Sequence, residues 1–259
     1  MTTSTTTRTV PPLGGFSPTF LRLELRRLMR NKRAVIFTLV MPSAFFLLFG
    51  TDSSYRTERA GHGNVTAYVM VSMAVYGAMI ATTSGGAMVA TERALGWSRQ
   101  LRLTPLTPVA YVAVKVAVAM TMGLVAIVAV FVVGHLVGAD LALGRLVLCG
   151  VLAWVCTLVF AAFGLFMGYL LPSENVMQIL GPALALLSFA GGLFVPLEQM
   201  SDVFALVATF TPAYGVGVLA RSPFGEDGSI WLAVVNVLAW ATVFVLGAAW
   251  RMSRDTQRV

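Results

Sequence analysis

Charge is what this sequence of 259 residues has least of: Asp, Glu, Lys and Arg make up 11% of it, against about 25% in ordinary soluble domains. So few charges exclude a water-soluble globule. With 58% hydrophobic residues and a mean hydropathy of +0.83, the chain reads as an all-α polytopic membrane protein. Cysteine is nearly absent: Cys149 and Cys156 lie in one apolar run, share a helix face and cannot bridge along a straight helix. They read as structural thiols. No His or Cys cluster has metal-ligand spacing, and there is neither a His-Glu-x-x-His motif nor a Gly-x-x-x-x-Gly-Lys-Ser/Thr phosphate loop. The chain is therefore expected to hold no metal or cofactor and not to be an enzyme. Acids are missing from the centres of the apolar runs, so the paired-carboxylate relays of secondary transporters also lack their residues. Energy for any transport is expected from another chain.

What is present is a series of apolar runs. A bilayer core about 30 Å thick takes roughly 20 helical residues, and six runs are read as spans, at about 34–50, 65–90, 109–138, 146–171, 176–195 and 230–250. Residues 1–16, rich in Thr, Pro and Gly, read as a flexible cytoplasmic tail ahead of a membrane domain at 17–259. Ser17 and Pro18 are a good helix start, a capping hydroxyl followed by the proline that the first helical position tolerates. On the helix that follows, Leu21, Leu25, Leu28 and Met29 gather on one side and Arg22, Arg26 and Arg30 on the other, the pattern of an amphipathic interfacial helix. Between spans five and six, residues 196–229 carry apolar groups bracketed by prolines, which fits one or two short re-entrant or interfacial helices.

Cations sit where topology wants them. With both termini inside, 13 Lys and Arg lie in inner segments and 4 (Arg56, Arg59, Arg145 and Arg221) in outer loops. Topology thus accounts for the pI of about 10.0, and no nucleic-acid partner is inferred. Lys115, within two turns of the inner end of the third span, is read as snorkelling to the interface, with a substrate or lipid-headgroup contact as the alternative. Small residues at 82–86 fit close helix packing, and a flexible pivot also fits. Met73, Tyr76, Phe163, Phe194 and Phe204 are candidates for lining a lipophilic pathway or its gate, and packing explains such residues equally well.

The inner connector TERALGWSRQLRLTPLTP, 91–108, is the longest polar stretch between the spans at the inner face. A helix from Glu92 to Leu103 would gather Ala94, Trp97 and Leu101 on one face and point Glu92, Arg99 and Arg102 the other way. Such a helix suits docking to a soluble partner, since burial gives affinity and charge gives orientation; a face laid on lipid is the other reading.

Three stretches resemble one family, the ABC transporter type-2 permeases, the membrane subunits of bacterial drug and polysaccharide exporters. They are ELRRLMRNKRAVIFTLVMPSAFFLLFG at 24–50, the connector at 91–108, and GGLFVPLEQM at 191–200. Glu92, Arg93 and Gly96, then Thr104, Pro105 and Leu106, match the family's loop, while Ala94 and Trp97 depart from it. The resemblance implies an ATP-driven exporter in the bacterial cell membrane. Separate ABC ATPase subunits, holding the ATP and Mg, would contact Glu92, Arg93, Gly96, Trp97, Arg99, Arg102, Arg22, Arg26 and Arg30. A second permease chain, identical or not, would complete the pathway. A lipophilic drug, antibiotic or lipid is the expected substrate, with a polysaccharide or lipid-linked glycan as the alternative. A stand-alone membrane sensor or assembly factor, without an ATPase, is the competing class.

Overall fold

The computed structural model describes residues 12–96, 100, 104, 106–225 and 229–257. Its architecture is helical, with one two-stranded hairpin pairing Arg59–Ala60 with Gly63–Asn64. The helices are α1 (Pro18–Arg30), α2 (Lys32–Phe49), α3 (Val65–Ala94), α4 (Pro108–Val137), α5 (Leu143–Cys156), α6 (Leu158–Leu170), α7 (Ser173–Ala190), α8 (Asp202–Ala208), α9 (Pro212–Arg221) and α10 (Ile230–Gln257).

Among the described residues, four helices are long and apolar enough to cross a membrane: α3, α4, the joined α5 and α6, and α10. Two bent pairs raise the number to as many as six: α1 with α2, at 64°, and α8 with the stretch from α9 to Phe224, at 93°. The chain is a multi-pass membrane protein. The expected fifth span appears as α7, an 18-residue helix outside those four, with Pro182 inside it. Pro18 does open α1, but Ser17 makes no side-chain cap; only its carbonyl accepts, from the Leu21 N–H at 3.1 Å. Of the tail expected at 1–16, residues 1–11 lie outside the described residues. Pro12–Gly15 form a 3-10 turn whose Gly14 carbonyl accepts from the Thr107 N–H at 2.9 Å.

α3 is the hub, buried along most of its length, with α2, α4, α5, α6, α7 and α9 packed around it. Glycine allows that closeness. A Cβ on Gly164 of α6 would stand 2.1 Å from the Thr83 carbonyl oxygen, and one on Gly86 would stand 2.6 Å from that of Ala161. The small-residue stretch at 82–86 is thus a backbone-to-backbone contact, closed by a hydrogen bond from Thr83 Oγ1 to the Phe160 carbonyl at 3.3 Å. Pro42 of α2 fits over Gly77 in the same way.

At the end away from the arginine-rich α1, Asn64 ties the loops together. Its side-chain oxygen accepts from the N–H groups of Ala67 (2.9 Å) and Asp140 (3.0 Å), and its amide donates to the carbonyls of Arg56 and Gly138. Asn64→Ala removes a helix cap and strands two acceptors, so a loss of about 1–2 kcal/mol is expected, read as a lower unfolding midpoint in detergent. In the exposed loop nearby, the Asp52 carboxyl is held below its usual range by the N–H and hydroxyl of Ser54. Arg221, counted above with the loop cations, is instead buried. It donates to Ser72 Oγ at 3.0 Å and the Gly192 carbonyl at 3.2 Å, and lies over the Tyr68 ring.

Candidate functional site

Helix α3 carries the start of the inner connector. Its α-helical hydrogen bonding runs through Glu92 and Arg93 to Ala94, then stops at Gly96, which takes the left-handed φ of 70° that lets the chain turn off a helix end. Glu92 therefore belongs to a helix packed on its neighbours and does not begin a separate docking helix. Its side chain is 2% exposed. This corrects the outward orientation expected for it, and the reason is electrostatic: three donors turn it inward.

Those donors come from two other helices. Glu92 Oε1 accepts from Lys115 Nζ of α4 at 2.5 Å and from Arg27 Nη1 of α1 at 2.9 Å, while Oε2 accepts from the Tyr111 hydroxyl. Lys115 Nζ also donates to Glu24 Oε2 of α1 at 2.5 Å, and Arg27 lies 3.6 Å from the other Glu24 oxygen. Two acids and two cations close into one neutral cluster joining three helices. The Lys115 side chain is 3% exposed, which overturns the snorkelling reading: its charge is met inside the protein, so it has no need of the interface.

Glu24 and its role went unnoticed in the sequence. The signal was present, because Glu24 stands on the buried stripe with Leu21, Leu25 and Leu28, an acid where helical spacing places apolar residues. The same stripe packs against Val114, Val118 and Met122 of α4. Arg22, Arg26 and Arg30 are exposed on the opposite face, as expected, and so is Met29, which turns away from the stripe. Arg93 points elsewhere, donating to the carbonyls of Gly168 and Tyr169 at the end of α6 and lying over the Tyr169 ring. Among the described residues nothing lies within 4 Å of a Cβ built on Gly96. Trp97, Arg99 and Arg102 lie outside the described residues.

Beside the cluster runs a groove floored by α3 and walled by α2 and α7. It has two adjoining compartments that share Thr38, Ser84 and Met177. The compartment at the arginine-rich end, of about 340 Å³, is lined by Arg27, Asn31, Thr91 and Met122 among others. The larger, of about 750 Å³, is apolar and aromatic, with Phe37, Phe45, Ile80 and Phe189 in its wall. Tyr76 and Phe194, both singled out from the sequence, meet there with ring centroids 4.9 Å apart, and with Phe45 and Phe49 they close its far end. Phe204 of α8 leans on Phe189 at 5.9 Å. Met73 sits in the packed core and Phe163 packs against Phe244 with the rings tilted by 50°, so neither is part of the groove wall.

These features, a polytopic helical chain, a cluster at the root of a connector and a groove beside it, belong with what sequence comparison finds. The profile of the ABC-2 type transporter family matches residues 19–222. This chain belongs to that family. The ABC-2 permease is also 28% identical over 229 residues to the Bacillus subtilis (strain 168) protein named "Putative transport permease YvfS", covering 86% of this chain and 91% of the relative. An ABC-2 permease is the transport subunit of an ABC transporter, embedded in the membrane, and its family works with an ABC ATPase. The matched region takes in α1, the ion cluster, the groove and α9, leaving only α10 beyond it among the long helices.

Proposed function

We propose that this ABC-2 permease exports a lipophilic substrate, a drug, an antibiotic or a lipid, driven by an ATPase subunit on a separate chain that binds ATP and Mg. The observation that carries the reading is the two-part groove. A mixed polar and cationic compartment opens into an aromatic, uncharged one, the sequence of environments that an amphiphile meets on leaving the inner leaflet for the bilayer core. The excess of arginine on α1, and Arg251 and Arg254 in the last turns of α10, support a reading in which that end and both termini face the cytoplasm of a bacterial cell. The ATPase meets the connector around Gly96 and the exposed Arg22, Arg26 and Arg30, while Glu92 and Arg93 hold the end of α3 in place behind it. Exposed Ile36 and Phe37 of α2 and Leu186 of α7 flank the groove, and a second permease chain covers them.

Ser84→Trp tests this, because Ser84 stands where the compartments join. The permease would be co-purified with its ATPase subunit, placed in proteoliposomes and supplied with a fluorescent acyl-labelled lipid as the probe. A tenfold or greater fall in ATP-dependent probe movement is expected, with the protein still inserted. Unimpaired movement would remove the groove from the pathway, and failure to bind any ATPase subunit would favour the stand-alone sensor.

A further inference from the structure

Apolar contacts between α1 and α4 are non-directional and permit sliding, whereas an ion cluster in a low-dielectric setting does not, because moving one charge away leaves another buried and unmet. Lys115 occupies the middle of that cluster. It holds a carboxylate of α1 at 2.5 Å and a carboxylate of α3 at 2.5 Å, and so stands between two helices from the third, α4. Glu92 lies four residues before Gly96, where the connector leaves the helix, and directly behind Arg93, which holds the same helix end to α6; a force on the connector therefore acts on the helix turn that carries Glu92. The same three helices supply much of the inner compartment's wall: Arg27, Leu28 and Asn31 with α1, Ser84, Met88 and Thr91 of α3, and Met122 of α4.

We propose that Lys115 is a positioning residue for coupling: it makes α1, the end of α3 and the start of α4 move as one body, so that displacement of the connector changes the width of the inner compartment. The inference rests on the transport reading above, which supplies the ATPase that moves the connector. Neither Glu24 nor Lys115 touches the substrate in this scheme. Their part is to prevent Glu92 from moving alone.

The test is a distance measurement on the whole complex. Spin labels at Met29→Cys on α1 and Met177→Cys on α7, both exposed, straddle the inner compartment; Cys149 and Cys156 are buried. Pulsed electron spin resonance would compare the nucleotide-free complex with one trapped by ATP and vanadate, at equal amounts of trapped nucleotide. The unaltered permease and Lys115→Arg are expected to show a nucleotide-dependent shift in the distance distribution. The Glu24→Gln/Glu92→Gln/Lys115→Met combination, which leaves Arg27 as the one charge of the cluster, is expected to lose at least half of that shift. Glu24→Gln/Lys115→Met, which leaves Glu92 on Arg27 and Tyr111, serves if the triple variant does not assemble, with the same expectation. A full shift in these variants would overturn the proposal, since the cluster would then be structural alone. So would the absence of a shift in an unaltered complex that traps nucleotide. An unaltered chain that binds no ATPase subunit would instead sink the transport reading.

Discussion

Lys115→Met is expected to lower the stability of the permease by about 3–5 kcal/mol, the cost of removing one partner from a buried ion pair. Methionine fills the lysine's volume, so the loss is electrostatic: Glu24 and Glu92, 6% and 2% exposed, are left facing each other, with Arg27 the remaining cation. Arg27 is a poor substitute. Its side chain is 44% exposed, and a pair so open to solvent contributes ~1 kcal/mol or less. The same change made together with Glu24→Gln and Glu92→Gln should recover most of the loss, because every buried charge of the cluster is then gone and the one that stays, Arg27, is 44% exposed and is met by water. Unfolding midpoints in detergent for the single and triple variants check this. A single variant as stable as the unaltered protein would mean that the cluster is solvated in the membrane.

Gly164→Val is the second large effect. The added Cβ would lie 2.1 Å from the Thr83 carbonyl oxygen and 2.8 Å from its carbon, and backbone cannot swing aside as a side-chain tip can. Separating α3 from α6 would break the Thr83 to Phe160 hydrogen bond and loosen the hub on which five other helices rest. A cost at or beyond the upper end of the ~1–3 kcal/mol usual for overpacking is expected, seen as loss of the monodisperse peak in size-exclusion chromatography. Gly144→Ala is the control. Among the described residues nothing lies within 4 Å of a Cβ built there, so it should be neutral or gain up to about 0.5–1 kcal/mol through helix propensity. Equal damage from both changes would refute the packing account.

These two sites show what the sequence can and cannot convey. The glycines and hydroxyls at 82–86 announce a close approach through their size, and their partner carries a signal too: Gly164 and Gly168 form a Gly-x-x-x-Gly pair on α6, both facing α3, a pair that went unused in the sequence. The spans at 65–90 and 109–138 were legible because hydropathy and helical length are local properties. Lys115 was misread for the opposite reason. Its two carboxylates are 91 and 23 residues away in the chain, and a lysine near a span end suggests snorkelling until the partners are in view. Glu92 was assigned an outward face because the connector's helix was started at that residue, whereas α3 runs past it. Of the residues offered for a lipophilic pathway, Tyr76 and Phe194 do meet in the groove, whereas Met73 is core, the packing role that such residues fill equally well.

The enclosure of α3 also bears on how the chain enters the bilayer. Of the four long helices it is the least hydropathic and the most surrounded by protein. Thr82, Thr83 and Ser84 lie along it, and Glu92 is near its end. Lipid alone is a poor host for such a helix, because the Thr83 hydroxyl and the Glu92 carboxylate find their partners on α6, α4 and α1. Its residence in the membrane is thus underwritten by segments synthesised before and after it. Insertion of this helix and assembly of the bundle become one event, and α4, which brings Lys115, is the segment whose arrival makes Glu92 tolerable at that depth.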